Sequence, residues 1–238
     1  MSIIFGIIKN IGCAIYYFGL CLASLPIFPS LRHGELSPDK PNIILVYGFL
    51  GMPKTFLPLK KKLEKLGYSV LIANVGWTIR DITIHAQRLL LFIKDRETVL
   101  HTEHGKTLSN LKGKITFFGH SMGGLIILEA QRLNPGLKTI KIITCGTPIN
   151  GTYCAYSALF NQAARQMKPG SEFIKRLQKD IEINGRRLEQ LKAELDHIVP
   201  SSASSLSSYP SQTLPIIGHL ALVFCLSDEI LKKMFELD

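Results

Sequence analysis

Residues 119–124 read Gly-His-Ser-Met-Gly-Gly and separate two segments of different periodicity. Residues 115–118 before them form an apolar run typical of a buried strand, and residues 125–133 after them have the apolar spacing of a helix. A G-x-S-x-G motif between a strand and a helix predicts a sharp turn that presents its serine above a sheet. Side chains at the outer glycines would clash in such a turn, and the N-terminus of the following helix favours developing negative charge. Ser121 is therefore the candidate nucleophile, and we expect His120 to point away from its hydroxyl and to shape the turn.

Strand-like and helix-like segments alternate from residue 42 to residue 238. Alternation of this kind favours an α/β fold, with a mostly parallel sheet of about six strands and helices on both faces. Such sheets bind ligands at the carboxyl ends of their strands. Residues 151–187 are helical in pattern and predict a helical insertion after the fourth strand. The predicted strands are 42–47, 69–73, 114–118, 139–145, 191–195 and 214–217, and the predicted helices are 53–66, 81–100, 125–133 and 220–235.

The loop after the first predicted strand, residues 47–51, reads Tyr-Gly-Phe-Leu-Gly. A serine that attacks an acyl carbon needs N–H donors directed at the oxygen that becomes negative. The N–H of Met122, the residue after the candidate nucleophile, is one such donor, and a loop after an early strand supplies the other. Glycines let this loop turn tightly. We therefore predict an oxyanion hole made by the N–H groups of Phe49 and Met122.

The candidate acid and base follow the serine along the chain. A serine hydroxyl needs a histidine to take its proton and a carboxylate to orient that histidine, and the motif implies the order serine, acid, histidine. His219 follows an apolar segment and opens the last predicted helix, whereas His197 is adjacent to the best acid, and adjacent side chains rarely face each other. Asp196 directly ends a predicted strand. The other acids between Ser121 and His219 lie in the helical insertion or on a predicted solvated face; they are Glu172, Asp180, Glu182, Glu189 and Glu194.

The first 29 residues are almost free of charge, with Lys9 as their single charged side chain. Residues 11–28 are an uninterrupted run of apolar or small residues, about the length that crosses a bilayer as a helix. Two interpretations compete: a secretory signal peptide cleaved near residues 21–23, and an uncleaved membrane anchor. We favour the anchor, because the basic region is thin and the cleavage pattern is poor. The expected location is membrane-associated, or secreted or periplasmic if the segment is a signal peptide.

The predicted organisation has three parts. Residues 1–29 are the membrane anchor or signal segment, residues 30–41 are a linker rich in Pro and Gly, and residues 42–238 are the catalytic domain. The Lys and Arg residues beside the apolar segment are too few to predict its orientation.

The net charge and the cysteine spacing limit which partners, metals and cofactors we expect. The net charge is +10, but the basic residues lack interleaved aromatic residues or a nucleic-acid motif, so we expect no nucleic-acid partner. A basic surface also attracts anionic lipids. The five cysteines have neither zinc-ligand nor redox spacing, so we expect buried free thiols; a Cys145–Cys154 disulfide has no positive support. Because no metal-ligand cluster or phosphate-binding loop is present, we expect no metal and no cofactor.

Several segments together resemble the compact bacterial lipases and esterases of the α/β-hydrolase superfamily, and their relatives that deacylate membrane lipids. Residues 42–238 carry the resemblance. Residues 46–51 are similar to the family's oxyanion loop, residues 119–124 to its nucleophile elbow, and residues 146–152 to its Gly-x-Pro-His-x-Gly-Thr segment. Two further motifs are the Asp-x-Ile-Val-Pro acid loop, similar to residues 196–200, and the terminal Gly-His-Leu at residues 218–220. Two departures are Tyr47, where the family usually has histidine, and Asn150, near where it often has histidine.

The resemblance implies a serine hydrolase that cleaves carboxylic esters, with lipid-like acyl esters as the expected substrate. The residues assigned above supply a Ser121–His219–Asp196 triad and an acyl-enzyme mechanism. Two alternatives remain at this point: an acyltransferase or thioesterase that uses the same triad, and a catalytically silent membrane-associated scaffold. The sequence makes no prediction of acyl-chain length, head group or oligomeric state.

Overall fold

The computed structural model describes residues 3–22, 34–104, 115–137, 139–158 and 160–235. Within these residues, six strands form one sheet: β1 (Asn42–Val46), β2 (Ser69–Ile72), β3 (Ile115–His120), β4 (Lys141–Cys145), β5 (Leu188–Leu195) and β6 (Ser211–Ile217). They lie in the order β2-β1-β3-β4-β5-β6, and every neighbouring pair is parallel. The predicted α/β fold with a parallel six-stranded sheet is confirmed.

Helices connect these strands. The described α-helices are α1 (Ile3–Leu22), α2 (Leu57–Lys65), α3 (Ile82–His104), α4 (Met122–Leu133), α5 (Gln162–Gln166), α6 (Glu172–Asn184), α7 (Ala221–Phe224) and α8 (Asp228–Phe235). Short 3₁₀-helices occupy Pro53–Phe56 and Tyr153–Ala158. The segment between β4 and β5 is helical, as predicted. Its last helix, α6, starts at the capping hydroxyl of Ser171 and ends at Gly185, whose φ of 52° is left-handed.

The composition of the central strands explains their parallel pairing. Every residue of β1, β3 and β4 is buried, and these strands consist largely of Ile, Val, Phe and Leu. A strand that is buried at every position is covered on both faces, which crossover helices provide in a parallel sheet. Helix α4 contacts both α3 and α6, and α7 contacts both α1 and α2, so the helices form two groups.

Parallel pairing brings the predicted site residues to one edge of the sheet. His120 at the end of β3 pairs with Cys145 at the end of β4, and Leu195 of β5 pairs with Ile217 of β6. The residues that follow these strands therefore lie at the same edge, where parallel sheets bind their ligands.

The predicted helix 220–235 is wrong as a single helix. The structure has two helices there, α7 and α8, separated by residues 225–227. The hydroxyl of Ser227 accepts a hydrogen bond from Ile230 N–H at 3.2 Å, so Ser227 caps the start of α8. The other predicted elements are present, with ends that differ by a few residues.

The first helix, α1, packs on the rest of the molecule. It contacts β6, α7 and the 3₁₀-helix that follows the loop after β1. Among the described residues, no helix is both long and apolar enough to cross a bilayer. The predicted apolar run 11–28 and the predicted linker 30–41 extend in part over residues 23–33, which lie outside the described residues. The division into anchor or signal, linker and catalytic domain stays a prediction.

Free thiols are present at Cys13, Cys145, Cys154 and Cys225. The expectation that they are buried is wrong for Cys154, which is exposed, and Cys13 and Cys225 are half-buried. Cys145 is buried at the end of β4. The sulfur atoms of Cys13 in α1 and Cys225 after α7 lie 3.8 Å apart. Burial beside Cys225 raises the pKa of the Cys13 thiol to about 11.

Candidate active site

Ser121 occupies a strained turn between β3 and α4. Its backbone φ is 56° and ψ is −131°, a conformation that non-glycine residues rarely adopt. Its N–H donates to the carbonyl of Cys145 at 2.8 Å, which fixes the turn to the neighbouring strand. A side chain at Gly123 would overlap the carbonyl oxygen of Val46, and one at Gly119 would lie 2.5 Å from the Cα of Gly124. The two outer glycines of the motif are therefore required by close backbone packing, as the sequence predicts.

Asp196 and His219 form a buried hydrogen-bonded pair. Nδ1 of His219 lies 2.6 Å from Oδ2 of Asp196, and both residues are at most 5% exposed. The other carboxylate oxygen accepts bonds from the N–H groups of Ile198 at 2.8 Å and Val199 at 2.9 Å. Burial raises the pKa of the Asp196 carboxyl, but the bond and charge of His219 and these two amides outweigh it, so the pKa lies below its usual value. His197, the adjacent histidine, is exposed.

The pairing defines the state of the His219 ring. An ionised carboxylate only accepts hydrogen bonds, so Nδ1 of His219 carries the proton of this bond, and in that tautomer Nε2 presents a lone pair. That Nε2 is buried and has no hydrogen-bond partner among the described residues. A buried polar atom without a partner is unusual in a folded protein and calls for an explanation.

His120 links the serine turn to the histidine loop. Its ring lies 4.6 Å from the ring of His219, and its Nε2–H donates to the backbone carbonyl of His219 at 3.1 Å. Burial and the neighbouring His219 lower the pKa of His120 to about 3, so its ring is neutral at ordinary pH. The expectation that His120 only shapes the turn missed this contact, because its partner is 99 residues away in the sequence.

The loop after β1 is fixed through the carbonyl of Gly48. That oxygen accepts from the hydroxyl of Thr78 at 2.6 Å and from the N–H of Gly51 at 2.9 Å. In a trans peptide the C=O and the following N–H point in opposite directions, so these bonds also fix the direction of the Phe49 N–H. A Cβ at Gly48 would lie 3.2 Å from Oγ of Ser121, so the loop passes directly beside the serine.

The second predicted donor, Met122, is the first residue of α4. The first N–H groups of a helix lack partners within the helix and carry partial positive charge. Tyr47, the first departure from the resembled family, is buried, and its hydroxyl donates to the carbonyl of Gly76 at 3.1 Å. Burial raises the pKa of Tyr47, so the phenol stays protonated and holds the loops after β1 and β2 together.

Residues 146–152 hold the acid loop in place. The hydroxyl of Thr152 donates to the carbonyl of Ile198. The side-chain amide of Asn150, the second departure, donates to the carbonyls of Ser202 at 2.8 Å and Ser205 at 2.9 Å, and its oxygen accepts from Gln178 at 2.7 Å. Asn150 thus links the segment after β4 to the loop after the acid and to α6 through hydrogen bonds.

The helical segment after β4 is exposed in part. Tyr153, Tyr156 and Phe160 are 78%, 49% and 89% exposed, whereas Met167 is buried. Leu159 of the same segment lies outside the described residues. Within the described residues, no group of three or more His, Cys, Asp and Glu side chains is placed to hold a metal ion.

Comparison with known families identifies the chain. The model of a family described as "Putative serine esterase (DUF676)" matches residues 40–191, which is more than half of the sequence. The chain belongs to this family. The matched segment includes the loop after β1 and Ser121 but ends before Asp196 and His219. No curated protein sequence matches the chain.

Solved structures of the α/β-hydrolase fold resemble this member of the serine esterase family. The mature lipase BlEst2 of Bacillus licheniformis has a TM-score of 0.68 at 14% identity, covering 88% of this chain and 96% of the lipase. The metagenomic carboxyl esterase MGS0156 has a TM-score of 0.53 at 17% identity, with 83% and 71% covered. The phospholipase PlaB of Legionella pneumophila has a TM-score of 0.59 at 12% identity, with 79% and 55% covered. At these identities the likeness shows the fold.

Proposed function

We propose that this protein is a serine carboxylic-ester hydrolase that acts on lipid-like acyl esters, with Ser121, His219 and Asp196 as its catalytic residues. One observation carries the proposal. His219 is bonded through Nδ1 to a buried carboxylate while its Nε2 is buried and unpartnered among the described residues, at the same sheet edge as the strained Ser121. This is the arrangement that a proton-accepting histidine requires.

In the proposed acylation step, Nε2 of His219 takes the proton of the Ser121 hydroxyl as Oγ attacks the ester carbonyl. The carboxylate of Asp196 stabilises the imidazolium that forms and holds the ring in the productive tautomer. The proton then passes from Nε2 to the leaving alcohol, and the acyl group remains on Ser121. Water, deprotonated by the same nitrogen, releases the carboxylic acid and restores the serine.

The proposed oxyanion hole consists of the N–H groups of Phe49 and Met122. Fixed donors stabilise the tetrahedral intermediate because they need no reorganisation when the negative charge develops. The bonds from Thr78 and Gly51 to the Gly48 carbonyl support this role for Phe49, because they set the direction of its N–H before substrate arrives. Met122 contributes from the positive end of α4.

Two observations support a lipid-like acyl ester as the substrate class. Large apolar and aromatic side chains are exposed in the loops beside the candidate site, and Tyr153 and Phe160 are the most exposed of them. One of the similar structures is a phospholipase and another is a lipase. Contact with exposed apolar side chains lowers the free energy of an acyl chain relative to water.

The test combines active-site labelling with turnover. A fluorophosphonate probe should label the wild-type protein at Ser121, and Ser121→Ala should abolish both labelling and hydrolysis of p-nitrophenyl esters, by roughly four orders of magnitude in kcat or more. His219→Ala and Asp196→Asn should each reduce turnover strongly, and His197→Ala serves as the matched control with unchanged turnover. Labelling at another residue, or wild-type turnover in His219→Ala, would contradict the proposed triad. A strict preference for acetyl esters over longer chains would contradict the lipid-like substrate.

A further inference from the structure

Helix α1 rests on the catalytic domain along one face. Gly6 faces Ile217, since a Cβ on this glycine would lie 2.5 Å from Cδ1 of that isoleucine. One turn later the side chain of Asn10 fills the space beside Gly218. Further along, Cys13 meets the sulfur of Cys225. The spacing of four and three residues places these contacts on one side of the helix.

The end of α1 contacts two further parts of the domain. The rings of Tyr16 and Tyr17 lie 5.3 and 6.3 Å from the ring of Phe224 in edge-on geometry. The hydroxyl of Tyr17 is 3.0 Å from where a Cβ on Gly51 would lie. Gly51 belongs to the loop that carries the proposed oxyanion donor, and Gly218 precedes His219. Helix α1 therefore contacts segments of the candidate active site at Asn10 and at Tyr17.

The opposite side of α1 is exposed and entirely apolar. We call it the outer face; its residues are Ile4, Ile7, Ile8, Ile11, Ile15 and Phe18, which are 71%, 47%, 62%, 55%, 70% and 65% exposed. A helix that is apolar on its packed side normally presents polar residues to water on the other. An exposed apolar surface of this size marks an interaction site.

Exposed apolar side chains also follow the carboxyl ends of the strands. Leu50 after β1 and Trp77 after β2 are 62% and 60% exposed, and Tyr153 after β4 is 78% exposed. Large apolar side chains are thus exposed both on α1 and in the loops of the sheet edge that holds Ser121 and His219.

We infer that α1 is an in-plane interfacial helix that stays docked on the catalytic domain and holds the active-site edge against an anionic lipid surface. Charge favours this partner: the protein carries a net charge of +10, so anionic lipids attract it, whereas two copies of the chain repel each other. Tryptophan and tyrosine are also the side chains enriched at membrane surfaces. A helix with an apolar face buried at the headgroup boundary binds parallel to the bilayer. The inference rests on the proposed function only in that the lipid surface is the source of the ester.

The first experiment measures flotation of the full-length protein with phosphatidylcholine vesicles, with and without phosphatidylglycerol. The double variant Ile11→Glu/Ile15→Glu should lower the vesicle-bound fraction at least about tenfold, because binding no longer transfers two apolar side chains from water into the lipid. Ile183→Glu is the matched control, since Ile183 is 70% exposed on α6 and lies outside the outer face. Both variants alter exposed positions, so their melting curves and their turnover of a soluble acetyl ester should match the wild type. Unchanged flotation of the double variant would overturn the inference.

The second experiment tests whether α1 stays docked when it is bound. In a Cys21→Ser/Cys154→Ser background, an azodicarboxamide oxidant joins the Cys13 and Cys225 sulfurs, takes up their two hydrogens and is reduced to the hydrazine. This disulfide should form equally well in solution and on vesicles, and Cys225→Ser should abolish it. Loss of the cross-link on vesicles would show that α1 leaves the domain to enter the bilayer, which contradicts the in-plane geometry.

Two outcomes distinguish this inference from a dimer interface and from the hydrolase proposal. A dimer that the Ile11→Glu/Ile15→Glu substitutions dissociate, without vesicle binding by the wild type, would assign the outer face to a second copy of the chain and overturn the lipid surface. Ser121→Ala should bind vesicles as the wild type does. Vesicle binding therefore needs no turnover, and failure of the hydrolase proposal leaves this test intact.

Discussion

At the scale of single residues, the peptide between Gly48 and Phe49 shows how one buried hydroxyl can direct a proposed catalytic group that it does not touch. Thr78 is fully buried, and its side chain donates to the Gly48 carbonyl at 2.6 Å. The Phe49 N–H belongs to the same rigid plane and points the opposite way. Thr78 is therefore a positioning residue for the proposed oxyanion hole, and its effect appears in the transition state.

Thr78→Val removes the hydroxyl and keeps the shape of the side chain. We expect kcat for p-nitrophenyl esters to fall about tenfold or more while KM changes little, because a misdirected donor loses stabilisation mainly in the transition state. Thr78→Ser retains the hydroxyl and should keep most of the activity. Equal losses in the Val and Ser variants, or a change confined to KM, would show that Thr78 only fills space.

The residues that the sequence could place at the candidate site are those whose position follows from local context or chain order. Ser121 lies in a motif that only a strained turn explains, and Asp196 and His219 follow strands in the expected order. Thr78 and His120 were missed as partners of the site because their acceptors are 30 and 99 residues away. No periodicity or spacing in one sequence reports such contacts.

At the scale of elements, one buried carboxylate connects three helices. Glu129 on α4 is fully buried and accepts hydrogen bonds from Arg132 at 2.8 Å, from Arg176 on α6 at 3.3 Å and from Thr83 on α3 at 3.1 Å. Helix α4 begins directly after Ser121, so this network fixes the far end of the helix that presents the proposed nucleophile.

Glu129→Ala should lower the free energy of unfolding by about 2 kcal/mol, because it removes these bonds and leaves a cavity, while the partly exposed guanidinium groups regain water. Urea denaturation measures the effect. Glu182→Ala, an exposed position on α6, is the control and should change stability little. If both variants unfold at the same urea concentration as the wild type, the network does not stabilise the folded protein.

The fifth strand and the last helix differ from their predicted bounds for physical reasons. The predicted fifth strand starts at residue 191, whereas β5 starts at Leu188, since Glu189 and Gln190 are not typical of a buried strand. Gln190 is nevertheless buried in β5, and its side-chain amide is satisfied by Leu206, which accepts at 3.0 Å and donates at 2.7 Å. The last predicted helix was too long because the apolar spacing continues through residues 225–227, where the capping serine starts a new helix.

At the scale of the whole molecule, three buried groups make stability depend on acidity in the same direction. Burial lowers the pKa of His120 to about 3 and also lowers that of His85. Burial raises the pKa of Asp196, but its bonds to His219 and to two amides leave it below the usual value. Each group binds a proton more readily in the unfolded chain than in the folded protein. The free energy of unfolding therefore falls as the pH falls.

For His120 the window follows from its ordinary and folded pKa values. Above pH 6.5 the ring is neutral in both states and the stabilisation is complete; below 6.5 the unfolded chain takes up a proton that the folded protein refuses until about pH 3. Between pH 6.5 and about pH 5, the titration of this residue alone should lower the free energy of unfolding by about 2 kcal/mol. His120→Gln, which keeps a donor for the His219 carbonyl, should lose stability less steeply over this range in urea titrations at stepped pH. His197→Gln changes an exposed ring and should retain the wild-type slope. Identical slopes for all three proteins would mean that His120 titrates in the folded state as it does in the unfolded chain.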